Sequence, residues 1–191
     1  MANSILSVLH SFQEYIEKEL IVAEYKLMKA PPIDKQGIEK PALVIPAVTT
    51  GCLPHVNFSL YGATNEFFQA PYIMIGFDDN NEDYDEAGIQ ILIQVCCYST
   101  SSYITDAEDE RFSLDIPDNK AFEDCINLLE WIKQKLILGG SVAGTSIDRP
   151  IRLGSYNNRE LTYPYSFGYL SVPVKISPQN TLRNIIYKEE D

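Results

Sequence analysis

With 191 residues, 45% of them hydrophobic and 22% charged, the chain has the composition of a single globular domain with room for a sizeable core. Its net charge of -12 comes from one segment: residues 78–124 hold 14 acids against two bases, and the remainder of the chain is neutral. That field repels phosphate and argues against tight nucleic-acid binding. No apolar run approaches the roughly 20 residues of a membrane span, and four cysteines without a Cys-x-x-Cys pair fit free thiols in a reducing compartment.

Ser4 or Asn3 caps a first helix that runs to about Tyr25. Ile5, Leu9, Phe12, Ile16, Leu20 and Ala23 recur at three- and four-residue steps, so one apolar stripe faces a core. Glu14, Glu17 and Glu19 interrupt this stretch and exclude a signal peptide. Pro31 and Pro32 end any continuation. Residues 30–70, punctuated by proline and glycine, read as an irregular arm with short extended candidates at 42–45 and 55–61.

Residues 71–77 read as a strand, 78–86 as a polar turn and 88–98 as the longest strand. On the latter, Ile89, Ile91, Ile93, Val95 and Cys97 form the buried face, and Gln90, Leu92, Gln94 and Cys96 the other. The two strands are expected to pair as an antiparallel hairpin. Eleven residues at ~3.3 Å each separate the ends of the longer strand by roughly 35 Å. Two acidic clusters flank it: Asp78, Asp79, Glu82, Asp83, Asp85 and Glu86 before, Asp106, Glu108, Asp109 and Glu110 after. Acid is therefore expected at both ends of the sheet, with a neutral middle, which suits a subunit whose flanks meet like subunits. It also suits a surface that nucleic acid slides past without sticking. The plainer reading is that these are solvated loops that keep the protein soluble.

Residues 99–117 form a long acidic loop, longer than a compact domain usually carries without a purpose. Asp118 then caps a helix reaching about Leu138, with Phe122, Cys125, Ile126, Leu129, Ile132 and Leu136 inward and Gly139-Gly140 as its stop. Trp131 sits one position off that stripe, either as partly buried core or as a partner contact. Two strands close the chain, at 151–156 and 166–176, followed by a tail over 177–191. In the last strand Phe167, Tyr169, Ser171 and Pro173 fall on one side, and Gly168, Leu170, Val172, Val174 and Ile176 on the other. Tyr163, Tyr165, Phe167 and Tyr169 make a ring-rich surface for a partner to cover.

Candidate chemistry is thin. Residues 139–146 space two glycines five apart before a hydroxyl, as a phosphate loop does, but Thr145 stands where lysine should neutralise phosphate, and the segment follows a helix. The same stretch approximates a nucleophile elbow, which needs a preceding strand and a late histidine; His10 and His55 are both early. Cys52 and His55 are close in sequence, yet nothing near them lowers a thiol pKa. Residues 78–86 lack the loop glycine and closing glutamate of a calcium loop. Paired acids for glycoside hydrolysis usually line an aromatic cleft, and here they lie in polar runs.

The expected architecture is α+β: one domain over 1–191, with a mainly antiparallel sheet of four or more strands and helices packed on one face. Residues 71–75, the acidic turn into 89–98, the helix ending at Gly139, and Tyr163-Pro164-Tyr165-Ser166-Phe167-Gly168-Tyr169 before a last strand together resemble tail terminator proteins of long-tailed phages and phage-tail-like bacteriocins. The resemblance spans roughly residues 70–176, and the long acidic loop after Ser99 departs from its compact pattern. It implies a homo-hexameric ring that caps a finished tail tube, halts tube growth and offers a docking face to head or collar. It implies no catalysis, no cofactor and no metal. Partners would be further copies of the chain, the tube protein, and sheath, collar or neck proteins, with no membrane. The place of action would be the host bacterial cytoplasm during assembly and then the particle. The resemblance would put Tyr163, Tyr165, Phe167 and Tyr169 near a ring or tube contact. Rival readings are a head-completion or neck connector, a generic binding module, and a hydrolase using acids of the two clusters, Asp78, Asp79 and Asp83 among them.

Overall fold

The computed structural model describes residues 4–30, 42–51, 70–82, 87–99, 119–156 and 164–176. They form an α+β fold in which two helices lie on one face of a seven-stranded mixed sheet. Helix α1 spans Ile5–Val22, and the Ser4 hydroxyl caps it by accepting from the Ser7 N–H at 3.2 Å. Its buried stripe is Val8, Leu9, Phe12, Ile16 and Leu20. Ala23 is not part of that stripe: the helix ends one residue earlier and Ala23 is exposed.

The arm read as irregular contains short strands. β1 (Leu27–Met28) pairs antiparallel with β2 (Leu43–Val44), and β3 (Ala47–Thr50) adds to the main sheet. Residues 55–61, the arm's second extended candidate, lie outside the described residues. β3 runs parallel to β4 (Tyr72–Glu82), with Val48 opposite Ile73. Gln13 on α1 donates to the Val48 carbonyl at 3.2 Å, which occupies a backbone acceptor of this edge strand.

β4 and β5 (Ala87–Tyr98) form the expected antiparallel hairpin. The polar stretch read as a turn is largely strand, however. β4 continues through Asp78 to Glu82, with a bulge between Phe77 and Asp79, because residues 87–90 of β5 supply ladder partners to its far end. Pairing overrides the low strand preference of acids there.

β9 (Tyr165–Ile176) pairs with the whole of β5, from Ala87 opposite Ile176 to Tyr98 opposite Tyr165. Its other edge carries β7 (Thr145–Ile147) and β8 (Arg152–Ser155), and β7 in turn pairs with β6 (Ser141–Val142), so the sheet order is β3-β4-β5-β9-β7-β6 with β8 also on β9. β6 and β7 form a small hairpin directly after the Gly139-Gly140 stop. Ala143 and Gly144 turn it at φ 48° and 83°, both in the left-handed region that a two-residue primed turn requires.

Helix α2 spans Lys120–Gly139, begins at Asn119 and ends where Gly140 adopts φ 65°. Asp118, the expected cap, lies outside the described residues. The inward face is Ala121, Cys125, Leu128, Leu129, Ile132 and Leu136; Phe122 is 40% exposed and Ile126 only half-buried. The stripe is thus rotated from the expected one, because α2 settles with Cys125 and Leu129 against Gly168 of β9. A Cβ on Gly168 would lie 2.6 Å from Leu129 Cδ1 and 3.0 Å from Cys125 Sγ, so its absence sets how closely helix and sheet approach.

The core is the layer between helices and sheet. Ile73, Ile75, Ile91, Ile93, Leu170 and Val172 are all fully buried there against Phe12, Leu20, Leu129 and Leu136. Each such side chain contributes about 1.5–3 kcal/mol of burial free energy. Tyr15 on α1 donates to the Lys135 carbonyl at 2.9 Å and so ties the two helices together.

Candidate functional site

The opposite face of the sheet carries no helix among the described residues. Strand alternation and register place three cross-sheet rows on it. Tyr72, Cys96 and Phe167 form one, Met74, Gln94, Tyr169 and Gly154 the next, and Gly76, Leu92, Ser171 and Arg152 the third.

One end of this face is closed by the chain itself. Ala30 and Ala70, joined by a 2.7 Å backbone hydrogen bond, cover Cys96 and Tyr98, and Met28, Tyr72, Tyr165 and Phe167 pack around them. Cys96 is therefore buried, although the alternation set it on the face away from the core. Burial pushes its thiol up to about 12 and raises the Tyr72 phenol as well, since both charged forms would lose water there. The Tyr98 and Tyr165 rings meet at 5.3 Å.

The middle is different. Tyr169 lies over Gly154, and its ring meets that of Tyr156 at 5.2 Å. Gln94 reaches across to donate to the Tyr156 hydroxyl at 3.0 Å, and Gln90 donates to the Ser171 hydroxyl. A Cβ at Gly76 would meet no atom within 4 Å. The result is a shallow area floored by Gly76, Leu92 and Met74 and rimmed by amides, hydroxyls and rings. The charges described on this face, Arg152 and Lys175, are basic and exposed, and Lys175 lies 3.7 Å from Asp148.

The candidate interface residues therefore do not share one environment. Tyr165 and Phe167 belong to the closed end, Tyr169 to the open middle, and Tyr163 lies outside the described residues. Trp131 is on α2, in the other layer, half-buried with Tyr25 at 5.2 Å and the Lys135 ammonium 5.5 Å from its ring centroid. Lys135 also pairs with Glu19 at 2.8 Å. Of the acidic candidates, Asp78 is exposed beside the β4 bulge. Asp79 and Glu82 lie on β4, but their side chains, with Asp83, Asp85, Glu86, Asp106, Glu108, Asp109 and Glu110, lie outside the described set. Gln90, Gln94, Tyr156, Gly154 and Gly76 were not foreseen as site residues. The amide alternation on β5 was the available signal for the first two.

Among the described residues no three His, Cys, Asp or Glu side chains converge as a metal site would require, and the buried polar side chains are Ser99 and Thr145. Thr145 donates to the Val142 carbonyl at 2.6 Å, a hairpin contact rather than a reactive arrangement. No helix among them is long and apolar enough to cross a membrane. No protein-family model matches this chain, and no curated protein matches it either.

Proposed function

We propose that the chain is a structural assembly protein, a subunit of a ring that caps the tail tube of a phage or phage-tail-like particle. In this reading it stops tube growth and presents a docking face to head or collar. The observation that carries the reading is the sheet face that bears no helix among the described residues: a middle of amides, hydroxyls and rings joined by cross-strand contacts, with the exposed Arg152 at its β8 edge. Such a surface can be desolvated by a partner without stranding a buried charge. The mechanism is steric: a ring seated on the last tube layer covers the surface to which the next would add. The likeness to tail terminators in residues 70–176 supplies the specific form of the proposal.

Size-exclusion chromatography with light scattering tests it. The chain alone, or mixed with tube protein, is expected to give a mass near six protomers. A strict monomer at high concentration in both conditions overturns the proposal. Gly76→Glu sharpens the test, since its side chain enters open space on the proposed contact face. It should leave the circular dichroism spectrum unchanged and abolish tube capping.

A further inference from the structure

β8 presents an unpaired edge. The Tyr156 N–H donates to the Phe167 carbonyl at 3.0 Å, which makes 156 and 167, 154 and 169, and 152 and 171 the hydrogen-bonded pairs of the β8–β9 ladder. Leu153 and Ser155 therefore turn both N–H and C=O away from β9, and among the described residues no strand lies beyond them. The opposite end of the sheet is treated differently: the Val48 carbonyl of β3 already accepts from Gln13. Outward backbone groups on an edge are a template for another extended segment. Arg149 and Arg152 stand exposed at the start of this edge, and among the described residues neither guanidinium meets a carboxylate.

We propose that residues 185–189 of a second copy add to this edge as a strand antiparallel to β8. Residues 177–191 follow β9 and lie outside the described residues. They carry the strand-favouring run Ile185-Ile186-Tyr187 and, after Lys188, the acids Glu189-Glu190-Asp191. The antiparallel direction brings those acids to the basic end of β8. With Glu189 opposite Arg152, Tyr187 falls opposite Gly154 and Ile185 opposite Tyr156, on the face that already holds Tyr169. Ile186 and Lys188 then meet the outward backbone groups of Ser155 and Leu153. A copy's own tail does not fit this place. It leaves β9 at Ile176, and Ile185 must stand level with Phe167, about 30 Å back along β9 and about 10 Å across. Nine Cα steps reach at most about 32 Å, and β6 and β7 occupy the direct path. The proposal rests on the ring reading only for the number of copies: donor and acceptor are different surfaces, so the contact runs head to tail, as a ring requires.

Hydrogen exchange read by mass spectrometry on the full, assembled chain tests it. The Leu153 and Ser155 amides are expected to exchange about tenfold or more slower in the parent than in Ile186→Pro. Ser155→Pro removes only an outward N–H, so it keeps the β8–β9 ladder and donates a tail but accepts none. Mixing it in equal amounts with Ile186→Pro should restore protection on the Ile186→Pro copies, whose β8 peptides differ in mass from those of the donor. Arg152→Glu, which reverses the charge facing Glu189, serves as donor if Ser155→Pro does not fold. Fast exchange of both amides in the parent overturns the proposal. So does protection that survives Ile186→Pro, which identifies another occupant, or protection that mixing fails to restore, which identifies the copy's own tail. Light scattering on the same samples separates this contact from the ring: six copies with unprotected amides leave the ring standing and sink the tail contact, and a protected edge in an assembly of another size does the reverse.

Discussion

Tyr169 and Gly154 stand opposite each other on β9 and β8, and the tyrosine ring fills the space that a side chain at Gly154 would need. A Cβ there would lie 2.5 Å from Tyr169 Cζ. The glycine lets the ring lie across the edge strand and meet Tyr156, and the ring shields a residue that has nothing of its own to pack. Gly154→Ala should therefore displace Tyr169 and cost about 1–3 kcal/mol, the usual penalty of overpacking. Urea unfolding of the two proteins measures this. Equal midpoints would mean that the ring moves aside freely and that the open face is not preorganised.

Gly168 on β9 and Gly76 on β4 make a contrasting pair on the two strands that flank β5. Gly168 faces α2, with Leu129, Cys125 and the Gly154 carbonyl all within 3.1 Å of a built Cβ, whereas Gly76 faces open space. Gly168→Ala should cost about 1–3 kcal/mol by forcing helix and sheet apart. Gly76→Ala should be neutral or stabilising by up to about 1 kcal/mol, because the unfolded chain loses freedom. Thermal unfolding of both variants separates the cases. A loss at Gly76 as large as at Gly168 would contradict the assignment of their two faces.

The strands that locate this face were legible to very different degrees. β5 and β9 announce themselves through unbroken alternation, Ile89 to Cys97 and Gly168 to Val174, because one face of each is wholly buried under the helices. The end of β4 was hidden by its chemistry: Asp78 to Glu82 look like a turn until β5 is known to extend beside them. β1, β2 and β3 are two to four residues long, too short for any period to register. For the candidate site, the sidedness of Tyr165, Phe167 and Tyr169 was readable from alternation. The closure over Tyr165 and Phe167 was not, since the small Ala30 and Ala70 leave no pattern and are distant in sequence. The mutual support of Gly154, Tyr169 and Tyr156 depends on register, which no local pattern fixes.

The β6–β7 turn offers a stabilising change. Ala143 holds φ 48°, a conformation that costs an ordinary L residue about 1–2 kcal/mol and that asparagine tolerates better. Ala143→Asn should raise stability by about 0.5–1 kcal/mol. Gly144→Ala, at φ 83°, should lower it. Chemical denaturation at neutral pH reads both, and a destabilised Ala143→Asn protein would show that the turn is not of the primed type.

The closed end of the sheet makes stability depend on alkaline pH. Cys96 has an ordinary thiol value of 9.0 and is pushed up to about 12, chiefly by burial, although its hydrogen bond with Tyr72 works the other way. A group whose folded pKa is raised keeps its proton in the folded state while the unfolded chain releases it. Its contribution is complete below pH 9, declines as the unfolded thiol ionises, and is lost as pH climbs toward 12. The slope is about 1.4 kcal/mol per pH unit for each such thiol. Cys97, also raised well above the ordinary value, first through its hydrogen bond to Cys125 and then through burial, falls in the same direction. Cys96→Ala should therefore flatten the fall in unfolding free energy between pH 9 and 10.5 without removing it. Urea midpoints taken across that window for both proteins decide the point. Superimposable slopes would mean that Cys96 titrates as an exposed thiol, and that Ala30 and Ala70 do not seal this end of the face.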